Sequence, residues 1–366
     1  MKKIGILTFH ASHNYGSMLQ AYALSFALKE LGHNVEIINF RSIPQKMFYI
    51  KPHKYWNLLN IKSRLLFPVL FLKTIKKWKN FESFMKIEMP ITREINYYAD
   101  IKKLILENGY DAVITGSDQI WNLNCADFSV GYLLPFKLPC KKIAFAPSMG
   151  QLQYLQVTDA ELLFISTLSD YDFLSVREPS TAEALSNLLQ KSVSFIPDPT
   201  WLIPLDVYDK MSFNRPIIKG EYLFYYKPHF ENKGSEEIYE LSRKFGLKAV
   251  CSNTQSSINA YYTNIGDAGP REFLNLIKFA KFVCGYSMHL IIFALIFHKP
   301  FFAVLENQDT RIVDLLKYFG LENRIVSVNK ILDEYNIEDI DWKNVDAKIS
   351  KFRSIAINYL LEALKD

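Results

Sequence analysis

No stretch of this 366-residue chain holds the roughly 18 consecutive apolar residues of a membrane-spanning helix, so no transmembrane segment is expected. The apolar opening Ile4–Phe9 is too short for a signal-peptide core and has no cleavage site; it reads as a first strand. Cysteine is scarce. Cys125, Cys140, Cys251 and Cys284 are scattered with no pair at metal-ligand spacing, which predicts free thiols, a cytoplasmic protein and no bound metal. Neither G-x-G-x-x-G nor G-x-x-x-x-G-K-[ST] occurs, which removes the dinucleotide and P-loop readings. Short internal repeats, low-complexity tracts and nucleic-acid-binding motifs are also missing. Acidic residues are nearly absent from one stretch: residues 41–86 carry eleven Lys/Arg and one acid, Glu82, while the remainder is mildly acidic, with 32 bases against 37 acids.

What is present is the composition of a globular protein, 49% hydrophobic with 22% charged residues, long enough for about two domains. Near-continuous apolar runs alternate with helical patterns, as in parallel strands buried on both faces. Strands are expected at Ile4–Phe9, Val35–Phe40, Ala112–Thr115, Lys142–Ala146, Phe173–Val176 and Val193–Ile196. Asp198-Pro199-Thr200 and the stretch to Pro216 read as a crossing, after which the theme repeats from Tyr222. The expected architecture is α/β, two Rossmann-like βαβ domains facing across a cleft. An N-terminal domain at 1–205 would contain the basic aromatic insert 41–86, a C-terminal domain would span 215–345, and a last amphipathic helix 346–366.

Ligands of open α/β sheets bind beyond the carboxyl ends of the strands, and four such places carry chemistry. Gly116-Ser117-Asp118-Gln119-Ile120-Trp121-Asn122 follows the strand 112–115 and puts an indole among a carboxylate and two amides, a combination suited to a sugar. Asn14-Tyr15-Gly16-Ser17 opens a helix and offers free backbone amides, although Asn14 or Ser17 could serve only as a cap. Arg177, after Ser175-Val176, presents a planar fork for a carboxylate or phosphate, or a partner for Glu178. His289 sits between a strand and a helix that is apolar all round, where an imidazole is either structural or an acid/base group.

These segments, in this order and spacing, resemble the polysaccharide pyruvyl transferase family. The matching stretches are Asn14–Leu24, Gly116–Asn122, Ala146–Gly150, Ser175–Glu178, Asp198–Thr200, and Ser287-Met288-His289 with Phe293 and Lys299-Pro300. The resemblance runs from about residue 4 to 330. It implies a fold like the GT-B glycosyltransferases and a reaction that attaches pyruvate as a ketal across two sugar hydroxyls, with phosphoenolpyruvate as donor. It also implies arginines and a histidine around the donor, which Arg177 and His289 match. Many members carry arginine where this chain has Ser287 and glycine where it has Leu290. The second donor cation then comes from Arg311, Lys299, Arg324 or Lys227, or is absent.

The resulting assignment makes His289 and Asp118 catalytic and Arg177, Ser287, Lys299 and Arg311 donor-binding. Asn14, Tyr15, Gly16, Ser17, Gln119, Trp121 and Asn122 would bind the acceptor. No metal or cofactor is expected, phosphoenolpyruvate being a co-substrate. The acceptor would be a hexose, galactose by expectation, on a polyprenyl-diphosphate-linked capsular or exopolysaccharide precursor. Lysines interleaved with aromatics over residues 44–85 suit an anionic membrane surface, giving a peripheral protein at the inner face of the cell membrane, or else form a solvated basic face over an ordinary core. A nucleotide-sugar glycosyltransferase of the same fold, and a sugar-binding scaffold protein, are the competing functions.

Overall fold

Strand β1 (Lys3–Leu7) is buried from its second residue on, and helix α1 (Tyr15–Glu30), which follows it, is buried on nearly every side. An apolar helix of this kind must be covered all round. In the computed structural model α1 lies between the sheet it follows and the second half of the molecule. The structure describes residues 1–49, 68–150, 159–228, 234–252, 261–305, 309–327 and 339–365, without the side chains of 68–70 and 159–163. Residues 50–67 of the basic insert therefore lie outside the described residues.

After β2 (Asn34–Ile37) come the short helix α2 (Ile43–Phe48), the long helix α3 (Pro68–Glu88) and α4 (Tyr98–Asn108). Strands β3 (Ala112–Thr115) and β4 (Lys141–Ala144) complete a parallel sheet of order β2-β1-β3-β4. Helix α5 (Asp159–Ser169), β5 (Ser175–Val176), α6 (Pro179–Leu189) and β6 (Ser194–Phe195) follow, with β5 and β6 pairing in parallel. The crossing segment is a 3₁₀ turn at Pro199–Leu202 and then helix α7 (Leu205–Met211).

The second half supplies β7 (Tyr222–Tyr226), α8 (Ser235–Lys244), β8 (Lys248–Cys251), β9 (Thr263–Asn264), α9 (Pro270–Lys278), β10 (Phe282–Gly285), α10 (Met288–Ile296), β11 (Phe301–Val304), α11 (Thr310–Phe319) and β12 (Ile325–Val326). Its strands form one parallel sheet of order β12-β11-β10-β7-β8-β9. The last helix, α12 (Trp342–Ala363), returns to the first half: Tyr359 Oη donates to the Ala144 carbonyl at 2.8 Å, and Arg353 to the carbonyls of Trp201 and Ile203 at 3.1 Å each.

Helix α3 joins the halves. Phe81, Phe84 and Met85 enter the main core, while Asn80 Nδ2 reaches the Asp267 carbonyl at 2.9 Å, Lys76 pairs with Asp267 at 2.7 Å, and Glu88 pairs with Arg271. Tyr15 completes the junction. Its ring stacks on Phe273 at 4.3 Å and on Phe81 at 5.2 Å, and its hydroxyl meets Ser252 Oγ at 2.7 Å and the Ala268 carbonyl at 3.1 Å. Among the described residues no helix is long and apolar enough to cross a membrane.

Candidate active site

The loops that leave β1, β3, β7, β10 and β11 at their carboxyl ends wall a single cleft of about 670 Å³. One wall comes from the first half, with Asn14, Ser17, Asp118, Gln119, Asn122 and Asp127; the other carries Lys227, Ser287, Met288, His289 and Arg311. In both sheets the strand ends thus point at the same space, where parallel α/β folds collect their ligands.

On the first wall Asn14 is a helix cap. Its Oδ1 accepts from the amides of Gly16 at 2.9 Å and Ser17 at 3.3 Å, so these are satisfied by the protein itself. Ser17 Oγ donates to Asp118 Oδ2, and Asp118 Oδ1 accepts from the Gln119 amide at 2.8 Å. Asp118 has φ = 69°, a left-handed backbone that an aspartate tolerates better than most residues and that turns the carboxylate toward the cleft lining. Gln119 Oε1 accepts from Asn122 Nδ2 at 2.9 Å.

Behind His289 stands a cluster of buried charges whose other members, Arg177, Glu178 and Asp198, do not line the cleft. Arg177 Nη1 donates to Asp198 Oδ2 at 2.9 Å and its Nε lies 3.3 Å from Glu178 Oε1. Asp198 Oδ1 accepts from the amide and hydroxyl of Thr200 at 3.0 and 2.8 Å. His289 Nε2 is 3.4 Å from Asp198 Oδ2 but is not aligned to hydrogen-bond with it, so this nitrogen meets no hydrogen-bond partner. Arg177 Nη2 and Glu178 Oε2 are likewise buried and unpartnered.

Burial alone would raise the Asp198 carboxyl, but the charge and contact of His289, with Arg177 and the Thr200 amide, hold it below the usual carboxylate range. Burial raises Glu178 instead, outweighing Arg177 and the Ser148 hydroxyl that donates to it at 2.6 Å. A smaller cavity of about 80 Å³ opens behind this cluster, lined by Arg177, Glu178 and Arg311 against Phe195, Trp201 and Ile292. Met288 and Arg311 border both cavities.

Gly16 explains how the cluster meets the first wall. A Cβ at this position would fall 2.1 Å from His289 Nδ1, so the imidazole rests directly on the start of α1. Gly16 therefore positions His289 rather than lining the cleft.

Four further expectations are corrected. Trp121 is fully buried, edge-on to Phe164 and Tyr171 at 5.8 Å each, because Ile120-Trp121 turns into the core while its polar neighbours face out. It offers no floor for a sugar. Tyr15 is spent on the junction between the halves. Lys299 precedes β11 at the amino end of the strands, its amine lowered by burial and by Lys281 and Lys278, and so stands at the edge opposite the cleft. Arg324 is buried beside β12 and lines neither cavity. Of the candidate second cations, Arg311 and Lys227 reach the cleft. Arg311 is held by Asp309 through bonds of 3.0 and 2.7 Å.

Asp127 went unread in the sequence. It is almost wholly buried on the first wall, accepting from Ser12 Oγ at 2.8 Å and from Cys125 Sγ at 3.0 Å. Asn124-Cys125-Ala126-Asp127 has no distinctive spacing; only its position in the loop after β3 could have drawn attention. Among the described residues no group of three or more His, Cys, Asp or Glu side chains is placed to hold a metal ion.

Two Rossmann-like domains around a cleft define a GT-B-type α/β protein, and solved structures agree. A protein from Listeria monocytogenes assigned as a UDP-N-acetylglucosamine 2-epimerase aligns over 99% of this chain and 95% of its own, with a TM-score of 0.60 at 10% identity. The UDP-GlcNAc 2-epimerase of Neisseria meningitidis aligns over 100% and 95%, with a TM-score of 0.53 at 10% identity. The glycosyltransferase SnogD of Streptomyces nogalater aligns over 99% of both chains, with a TM-score of 0.50 at 12% identity. At such identities these likenesses speak for the fold alone. No curated protein sequence matches the chain. The model of the polysaccharide pyruvyl transferase family matches residues 14–309, most of the chain, and the protein belongs to that family.

Proposed function

We propose that the protein transfers pyruvate from phosphoenolpyruvate to a hexose, galactose by expectation, forming a cyclic ketal on a lipid-linked precursor of a capsular or extracellular polysaccharide. The observation that carries this reading is the Arg177–Asp198–His289 cluster. It combines a buried guanidinium and an imidazole, each with one unpartnered nitrogen: His289 lines the cleft, whose other wall is carboxylate and amide, and Arg177 lines the smaller cavity behind it.

Ketal formation starts when the methylene carbon of the enol phosphate takes a proton. One acceptor hydroxyl then adds to the resulting cationic carbon and loses its proton, and phosphate departs with the C–O bond electrons. The second hydroxyl adds and releases the second proton. The reaction needs an acid, a base and positive charge around the leaving phosphate. In this reading His289 supplies the first proton, with Asp198 steadying its cationic form. Arg177 and Arg311 hold the donor's carboxylate and phosphate, and Ser287 donates beside them. Asp118 takes a hydroxyl proton, while Asn14, Ser17, Gln119 and Asn122 hold the acceptor.

The test is incubation of the purified protein with phosphoenolpyruvate and lipid-linked galactosyl acceptors, following acceptor mass and phosphate release. A gain of one pyruvate ketal is expected, lowered about 10²-fold or more in His289→Ala. No binding of phosphoenolpyruvate, with binding of a uridine diphosphate sugar instead, would overturn the reading in favour of a glycosyltransferase.

A further inference from the structure

Beside the cleft lies a second cavity of about 340 Å³, walled by His13, Arg41, Gln45, Tyr49, Trp78 and Glu82. Tyr49 borders both cavities, so they are neighbours across one ring. The described cleft residues do not use this space.

Its chemistry suits a neutral, hydroxylated ring. The wall is aromatic: the His13 imidazole lies 5.8 Å from the ring of Tyr49 and 6.1 Å from that of Trp78. Aromatic faces cover the C–H side of a saccharide, and a few placed polar groups fix its hydroxyls. Those groups are present. Glu82 takes both terminal nitrogens of Arg41, at 3.0 and 3.2 Å, and His13 Nε2 at 3.1 Å. Burial would raise the Glu82 carboxyl, but these bonds outweigh it and bring it down to about 2. The carboxylate is therefore ionised at neutral pH and keeps one lone pair, on Oε2, for a hydroxyl.

Gln45 closes the wall: it is almost completely buried, and its Nε2 donates to Ser12 Oγ at 3.0 Å. An anionic ligand is disfavoured, since Arg41 is balanced by Glu82 and Lys46 by Glu94. Ser12 also donates to Asp127 on the cleft wall, so one chain of hydrogen bonds links the two cavities.

We infer that this cavity holds the sugar ring next to the one that reacts, so the acceptor is a saccharide of at least two linked rings. The inference rests on the cleft being the acceptor site of the proposed transferase. It is tested by saturation-transfer NMR of the full chain with methyl glycosides of hexoses and of hexose and N-acetylhexosamine disaccharides. A disaccharide is expected to bind about tenfold more tightly than either component ring, with the gain erased in Trp78→Ala and restored in Trp78→Phe. Equal affinity for one and two rings across the panel, or a gain that survives in Trp78→Ala, overturns the inference. Phosphate release from phosphoenolpyruvate, measured separately, reports on the transferase reading whichever way binding falls.

Discussion

At the residue scale, the contact between Gly16 and His289 ties the two halves of the site together. A methyl group in Gly16→Ala would overlap the imidazole, whose Nε2 lies 3.4 Å from Asp198 Oδ2. Displacing a reacting group by about 1 Å costs roughly 10² in rate. Gly16→Ala is therefore expected to lose turnover on that scale while retaining its far-ultraviolet circular dichroism; wild-type turnover would show that His289 need not rest there. Arg177 and His289 were legible because arginine and histidine at strand ends are conspicuous. Gly16 was legible as a member of the motif, but its task was not, because the partner lies far away in the chain.

Tyr15 and helix α3 belong to the scale of elements. The sequence put Tyr15 with the acceptor, and the structure puts it in the seam, where its hydroxyl serves Ser252 and Ala268. Tyr15→Phe leaves those buried groups short of a partner, at a cost of about 1–3 kcal/mol. The expected outcome is a lower melting temperature with unchanged KM for the acceptor. A raised KM at unchanged stability would return Tyr15 to the acceptor. Helix α3 shows a related limit of sequence reading. Its lysines and aromatics read either as a membrane surface or as a solvated face over a core; Phe81, Phe84 and Met85 are core, and Lys76 and Glu88 hold the other half. A charge-rich amphipathic stretch reveals that one face is apolar, and not what that face meets.

For the whole molecule, the largest core cluster runs from β1 and α1 through α3 and α9 to α12, so the two sheets share one interior. Phe48 and Tyr49 of the basic insert border the cleft, and α2 exposes Ile43, Met47 and Phe48 beside Lys46. We propose that this side meets an anionic membrane surface and brings a lipid-linked acceptor to the cleft. Changing Lys51, Lys54, Lys62 and Lys79 to glutamate should sharply reduce flotation with phosphatidylserine-containing vesicles, since each nearby base contributes about 1 kcal/mol. Unchanged flotation would remove the membrane from the account.

The sequence by itself determined the alternation of strands and helices, and with it the two parallel sheets, because strands buried on both faces must be apolar throughout and helices must be amphipathic or covered. Its ordered motifs also determined the family. Only the tertiary structure decided which motif residues face the cleft. Trp121 turned inward because the core beside Phe164 and Tyr171 could take an indole, and Lys299 fell at the wrong end of its strand. Asp127 and the cavity around Trp78 and Glu82 arose from loops and a helix meeting across long separations. Such meetings depend on packing between elements, which local periodicity does not encode.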